Sequence, residues 1–402
     1  MGAFLVEKMR QITLGTLNIS QQGKDYVNDA LNSNRLSYGK YTAKFEAEFA
    51  RLHECKHAIF MNSGTSALQV ALAALKERHG YRDGDEVLVP ATTFIATSNI
   101  VLQNNMRPVF VDVDPRTFNI NPWKIEEKIT SRTRAIIPVH LLGLPADMTR
   151  IVPIARHHNL QILEDSCETM FSKCDGKTVG SFGEFGTFST YVNHIIVGGV
   201  GGIVTTNDDD LAELSRSLMA HGRDSIYTSI DADDGLSGSK LLNIINRRFK
   251  FDRVGYSYRA TELEAAIALS ELERREQNLI QRTLNAVLLI DKLYGLEDVL
   301  QLPYIPKGFG HAFMMFPLVV KEGVDRDKFL LFLEEHGVET RFLFPLLSQP
   351  VYRKLFPGLD EQYPVAQNLA RKGALIGIHQ GLSSEDIQHI AELIHAYFSE
   401  HK

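Results

Sequence analysis

From residue 57 onward, short runs rich in Val, Ile, Phe and Thr alternate with longer stretches whose apolar positions recur at helical spacing. The runs span residues 57–61, 86–89, 108–113, 134–139, 160–163, 187–191 and 202–206. Seven strands interleaved with helices predict an α/β fold on one large, mainly parallel sheet. Several runs end in polar residues, as Leu163-Glu164-Asp165 does, and ligands of such sheets bind outside the carboxyl ends of strands. Chemistry is expected there.

Ahead of this region, after a short strand-like start, residues 21–53 carry helical spacing broken at Ser37-Tyr38-Gly39. Two helices joined at a turn are predicted, with Ser20 as the first N-cap. Residues 261–293 read as one long helix, followed by a strand at 313–320, a helix at 325–335 and a C-terminal helix at 384–398. The expected organisation is an N-terminal helical segment, 1–55, packed on a large domain, 56–285, with a small C-terminal α/β domain, 286–402.

Composition narrows the function classes. With 43 Lys+Arg against 49 Asp+Glu, the net charge of −6 offers no general attraction to nucleic acid or anionic membranes, and no local basic patch stands out. No apolar run approaches the ~20 residues of a membrane span. Cys55, Cys167 and Cys174 are too few for a disulfide framework or a four-cysteine metal site, so no metal is expected. A soluble cytoplasmic protein is the expectation.

Three segments could carry chemistry. Asn62-Ser63-Gly64-Thr65-Ser66-Ala67 follows a strand and opens an apolar helix, an order that suits phosphate at the helix N-terminus or simply makes a capped tight turn. Asp165 closes an apolar strand, where a buried carboxylate needs a cationic partner such as a protonated pyridine nitrogen, unless it only caps a helix. Ser189 and His194 lie five apart on the way into a glycine-rich turn at 198–202, and a lone His there is more often a structural donor than a catalyst.

Taken in order, these segments resemble the DegT/DnrJ/StrS family of sugar-nucleotide aminotransferases, which are fold-type I pyridoxal phosphate enzymes. The likeness extends through Pro90-Ala91-Thr92-Thr93-Phe94, Val111-Asp112-Val113-Asp114, Pro138-Val139-His140-Leu141-Leu142-Gly143, Glu164-Asp165, Phe188-Ser189, His221-Gly222-Arg223 and the run from Gly255 to Glu262. It implies that Gly64, Thr65, Ser66 and Ser189 hold the cofactor phosphate, Asp165 pairs with the pyridine nitrogen, and Phe94 stacks on the ring. Tyr191, His221 and Arg223 become candidate substrate residues. The resemblance also implies a homodimer with shared active sites, in which Ser257 stands where the family usually has an Asn that reaches the neighbouring subunit's cofactor.

One departure decides the expected activity. The residue five after Ser189 is, in the aminotransferases, the lysine that binds the cofactor covalently; here it is His194. Imidazole cannot make that bond, so pyridoxamine phosphate held noncovalently is the expected working form. The family's 3-dehydratase branch, including GDP-4-keto-6-deoxymannose 3-dehydratase, shows the same exchange and an acidic residue like Glu168. Some of that branch carry a cysteine cluster for an iron–sulfur centre, but no cysteine follows Gly222-Arg223-Asp224 here.

The resemblance thus implies a 3-dehydratase of a nucleotide-linked 4-keto-6-deoxyhexose, fed by glutamate, in deoxysugar and O-antigen polysaccharide assembly. His194 would serve as base and then acid with a pKa near neutrality, and Glu168 would orient the cofactor hydroxyl, raise the pKa of His194, or sit on a solvated helix face. Three alternatives stay open: an aminotransferase of the same family, a catalytically silent cofactor or sugar-nucleotide binder, and a His194 introduced to trap an aminotransferase complex.

Overall fold

The structure, a computed structural model, describes residues 11–224 and 235–400. Helices α1 (Gln21–Asn32) and α2 (Lys40–Leu52) come first, and the Ser20 hydroxyl caps α1 by accepting from the Gly23 N–H at 3.0 Å. Seven strands then form the large sheet: β1 (His57–Met61), β2 (Glu86–Pro90), β3 (Arg107–Val111), β4 (Thr133–Ile136), β5 (Gln161–Asp165), β8 (Phe185–Ser189) and β9 (Gly202–Thr206). A small hairpin, β6 (Lys173–Cys174) with β7 (Lys177–Thr178), intervenes after β5.

The strand order is β1-β9-β8-β5-β4-β2-β3. Only β9 runs antiparallel to its neighbours, so the sheet is mainly parallel, and every residue of β2, β8 and β9 is buried. Strands covered on both faces read as continuous apolar runs, which is why they stood out in the sequence. Helices α3 (Gly64–His79), α4 (Ile95–Gln103), α5 (Met148–His157), α6 (Asp209–Met219) and α7 (Gly238–Arg247) follow in turn. Helix α3 packs on β8, β9 and α4 and buries Ala67 through Leu72, so its apolar residues surround the axis; Gly80, at φ 64°, ends it in the left-handed conformation that suits glycine.

The predicted long helix at 261–293 is two, α8 (Glu262–Glu273) and α9 (Arg275–Lys292). At Arg274 the backbone leaves helical geometry, its N–H turns back to the Glu271 carbonyl three residues away, and its guanidinium ties Glu271 to the Asn18 carbonyl. No glycine or proline marks the break, so periodicity runs through it. The chain then forms β10 (Leu300–Gln301), β11 (Phe316–Val320), α10 (Arg326–Glu335), β12 (Thr340–Phe342), α11 (Pro350–Leu355), α12 (Pro364–Lys372), β13 (Gly373–Ile376) and α13 (Ser384–Glu400). These strands make an antiparallel sheet, β10-β11-β13-β12, over its own apolar core, to which Ile12 from the start of the chain also belongs.

Carboxylates join distant segments at helix ends, Glu262 from a buried position and Asp112 from a half-buried one. Gly39 has no side chain to cap α2; instead Glu262, from α8, accepts from the N–H groups of Gly39, Tyr41 and Thr42 at 2.7, 2.9 and 3.0 Å. A Cβ at Gly39 would come within 2.8 Å of that carboxylate. Asp112 likewise accepts from Val365 and Ala366 at the start of α12. Truncating Glu262 orphans several buried donors, so Glu262→Ala is expected to lower unfolding free energy by about 3 kcal/mol in urea denaturation, with Glu262→Gln recovering part of it. An unchanged midpoint for the alanine variant would refute this account.

Candidate active site

A cavity of about 390 Å³ opens at the carboxyl ends of β5 and β8, closed on its far side by Met314, Met315, Arg341 and Phe344. Asp165 is the last residue of β5 and is 4% exposed. Its carboxylate accepts from the Thr97 hydroxyl at 2.7 Å and the Cys167 N–H at 3.2 Å, and Thr93 in turn bonds Thr97 at 2.9 Å. Burial pushes the Asp165 pKa up, against the pull of those donors. No salt bridge among the described residues reaches it, so a cation entering the cavity beside Asp165 would relieve a buried charge.

The opposite requirement, positive potential, is met where α3 begins. Ser63 caps the helix by accepting from the Ser66 N–H, while Gly64 and Thr65 lie in the cavity wall with first-turn N–H groups that have no partner within the helix. A Cβ on Gly64 would meet Ser189 Cβ at 2.8 Å and Cys167 Sγ at 2.9 Å, so only glycine allows this helix end to approach β8. Ser189 lines the same wall, its hydroxyl accepting from the Tyr191 N–H at 3.3 Å. Phe94, 56% exposed at the start of α4, lies at the rim as a free aromatic face.

His194 also lines the cavity, with its ring 6.2 Å from that of Tyr191. Nδ1 lies 3.1 Å from the Ser189 carbonyl, which can only accept, so Nδ1 carries the proton and Nε2 is the basic nitrogen. Burial, with a contribution from Arg282, pushes the His194 pKa down to about 4. The expected pKa near neutrality does not hold for the chain by itself: removing water penalises the imidazolium. Glu168 is 7% exposed rather than solvated, and it accepts from the Leu142 N–H at 2.8 Å. Burial pushes its pKa up to about 8, helped by Asp165, so it is a neutral acid at pH 7. It is not among the groups that shift His194, whose pKa is lowered and not raised.

Four predicted residues lie off the cavity wall. The Ser66 hydroxyl donates to Asn62 at 2.7 Å and receives from Ser63, which stabilises the turn instead of facing a ligand. His221, at φ 67°, lies near Arg259, while Arg223 donates to the Arg248 carbonyl and sits over Phe249 and Phe251. Ser257 is exposed and bridges Ala220. Conversely, Leu14, Met314, Arg341 and Phe344 line the cavity without having been singled out, because they come from segments far apart in the chain, and Thr97 and Cys167 line it beside Phe94 and Asp165. Thr97 alone left a trace, one helical turn beyond Thr93.

The residues present fit pyridoxal phosphate: a buried carboxylate for the ring nitrogen, a helix N-terminus with a serine for the phosphate, and an aromatic for the ring face. The fold and this cavity define a pyridoxal phosphate enzyme of fold type I. The chain belongs to the DegT/DnrJ/EryC1/StrS aminotransferase family, whose sequence profile matches residues 18–395. It is 36% identical over 384 residues to the GDP-perosamine synthase of Caulobacter vibrioides, covering 94% of this chain and 96% of that protein. The structure is similar to that of Escherichia coli GDP-4-keto-6-deoxy-D-mannose-3-dehydratase with bound hydrated pyridoxal phosphate, at a TM-score of 0.87 and 26% identity, covering 96% of this chain and 100% of that one. An aminotransferase from Psychrobacter cryohalolentis matches with a TM-score of 0.87 and 29% identity, over 97% and 99% of the two chains.

Two outcomes follow from this geometry. Gly64→Ala overpacks the phosphate wall by about 1–3 kcal/mol, so pyridoxal phosphate affinity is expected to fall roughly tenfold in a fluorescence titration; wild-type affinity would contradict the cradle. The second concerns pH. Glu168 has its pKa raised on folding, so its stabilisation is complete below the unfolded value of 4.5 and is lost as pH rises through about 8. His53, His194, His311 and His379 have lowered values, so their effect runs the other way and is finished by about pH 6.5. Between pH 6.5 and 8 the cofactor-free protein should therefore lose stability, and Glu168→Gln should reduce that loss by its own share, the raised carboxyls of Asp165 and Glu271 acting in the same direction. Parallel melting curves for the two proteins would disprove the buried acid.

Proposed function

We propose that this chain is a pyridoxal phosphate-dependent 3-dehydratase of a nucleotide-linked 4-keto-6-deoxyhexose, with glutamate as amino donor. The observation that carries the reading is the cavity wall itself: among the described residues it contains His194 and no lysine. Likeness to GDP-4-keto-6-deoxy-D-mannose-3-dehydratase over nearly the whole chain supports it.

When bound, the cofactor supplies an amino group to the sugar ketone and a ring that can take up and return an electron pair. Gly64, Thr65 and Ser189 hold its phosphate, Asp165 keeps the ring nitrogen protonated, and Phe94 covers a ring face. Glu168, neutral at pH 7, is a hydrogen-bond donor toward the cofactor hydroxyl. His194 Nε2 takes a proton and then gives it to the departing C3 oxygen. An anionic phosphate brought to Ser189, whose carbonyl holds Nδ1, favours the imidazolium and so raises the proton affinity of His194 toward working pH. Arg341, at the cavity wall and ion-paired with Glu339, would bind a carboxylate of glutamate by exchanging partners.

Ser257, His221 and Arg223 lie away from their own chain's cavity, which supports a homodimer in which they face the partner's site. A second reading, an aminotransferase that leaves the C3 hydroxyl in place, is favoured by the relative named GDP-perosamine synthase.

The deciding experiment incubates the protein with pyridoxal phosphate and glutamate, follows the conversion of aldehyde to amine cofactor, and then adds GDP- or dTDP-linked 4-keto-6-deoxyhexose. Loss of the C3 hydroxyl with release of ammonia is expected, and His194→Gln should lower turnover at least about 100-fold. A stable aminosugar product would establish the aminotransferase instead, and binding with no spectral change would mean a silent binder.

A further inference from the structure

Behind the cavity wall, α9 carries Arg282, 1% exposed and held by carbonyl groups alone. Its guanidinium donates to the carbonyls of Phe313 and Met314 at 3.1 and 3.0 Å and to the carbonyl of His194 at 3.3 Å, while Nε is buried with no partner among the described residues. No carboxylate among the described residues lies within ion-pair distance. Buried Glu271 acts on it through space without a direct ion pair, so the cation is costly to bury, and what it secures is the backbone on two sides of the cavity. Phe313 sits at φ 45°, a strained value for a side chain of its size, and its peptide is stitched to the neighbouring wall: Ala312 and Met314 donate to the carbonyls of Gly143 and Leu142. Leu142 is in turn held by Glu168. One hydrogen-bonded path thus runs from Glu168 through Leu142, Met314 and Arg282 to His194.

We infer that Arg282 is a positioning residue for His194: the planar, rigid fork of its guanidinium ties the His194 backbone to the Phe313-Met314 segment and so fixes where the imidazole stands against the opposite wall. The inference rests on the reading of His194 as the proton carrier. Proximity of the positive charge also bears on the imidazole. Asp165, Cys167, Glu168, Tyr191 and Arg341 face His194 across the cavity, and Arg282 is the charged group that lowers its proton affinity from behind.

The test uses the full chain with Arg282→Lys and Arg282→Met. Histidine-labelled, cofactor-free protein is titrated by NMR, the His194 signal being assigned by its loss in His194→Gln. In Arg282→Met the His194 titration is expected to rise, pyridoxal phosphate affinity to stay within about threefold, and kcat to fall about 100-fold with little change in KM. Arg282→Lys keeps the charge but not the fork, so its titration should stay in place while kcat falls about tenfold. Arg282→Met with wild-type titration and kcat would overturn the inference. Should the methionine variant not fold, wild-type kcat and wild-type imidazole shifts in Arg282→Lys would do the same. If His194→Gln turns over like the wild type, the proton-carrier reading fails separately, whatever the titration of Arg282→Met reports.

Discussion

Glu164 and Asp165 are successive buried residues at the end of β5, and the pleat of a strand sends successive side chains to opposite faces. The rest of the site depends on that alternation. Glu164 turns away from the cavity and accepts from the N–H groups of Gly180, Phe182 and Gly183 at 2.8, 2.6 and 2.9 Å. It also meets His140 Nε2 at 3.0 Å, and because His140 Nδ1 accepts from the Ala146 N–H, Nε2 is the protonated nitrogen. This carboxylate therefore fixes the turn that leads into β8, and so where Ser189 and His194 begin. Asp165 turns the other way, into the cavity. A slip of one residue in β5 would exchange the two and lose both the turn and the site.

The same economy explains the shape of the cavity. Glycine at position 64 lets α3 approach β8, Ser63 caps the helix without covering its first N–H groups, and Thr97 from α4 steadies the acid from the side. The remaining walls come from beyond residue 310, joined through the carbonyls of Leu142 and Gly143. Neither half of the chain encloses the site by itself.

Much of this was legible in the sequence, for physical reasons. Strands buried on both faces leave continuous apolar runs, so all seven strands of the large sheet were visible, and Gly64, Asp165, Ser189 and His194 sit at their ends, where polar residues interrupt an apolar pattern. What could not be read had no local signature. The break at Arg274 carries a contact with Asn18, far away in the chain, and Arg282 shares its helix with other buried polar residues, Asn278 and Asn285, none of which interrupts the helical spacing. Arg341 and Met314 reach the cavity only through tertiary packing. Ser66 misled for the converse reason: its place in the motif suits phosphate, but a neighbouring asparagine takes its hydroxyl. The shift of His194 was equally hidden, since burial is not written in the spacing of a histidine from a serine.

Burial acts on both candidate proton carriers in opposite senses. It pushes Glu168 up to about 8 and His194 down to about 4, so at pH 7 the acid holds its proton and the base lacks one. One cause, the penalty on any charge in a dry cavity, produces a donor and an acceptor from two side chains that would each be reversed or mixed in water. Asp165 pays the same penalty with no salt bridge among the described residues, and the start of α3 presents positive potential to the same cavity. A ligand bearing a cationic ring nitrogen and an anionic phosphate would satisfy both at once, and under the proposed function the charges it brings would reset the proton affinity of His194.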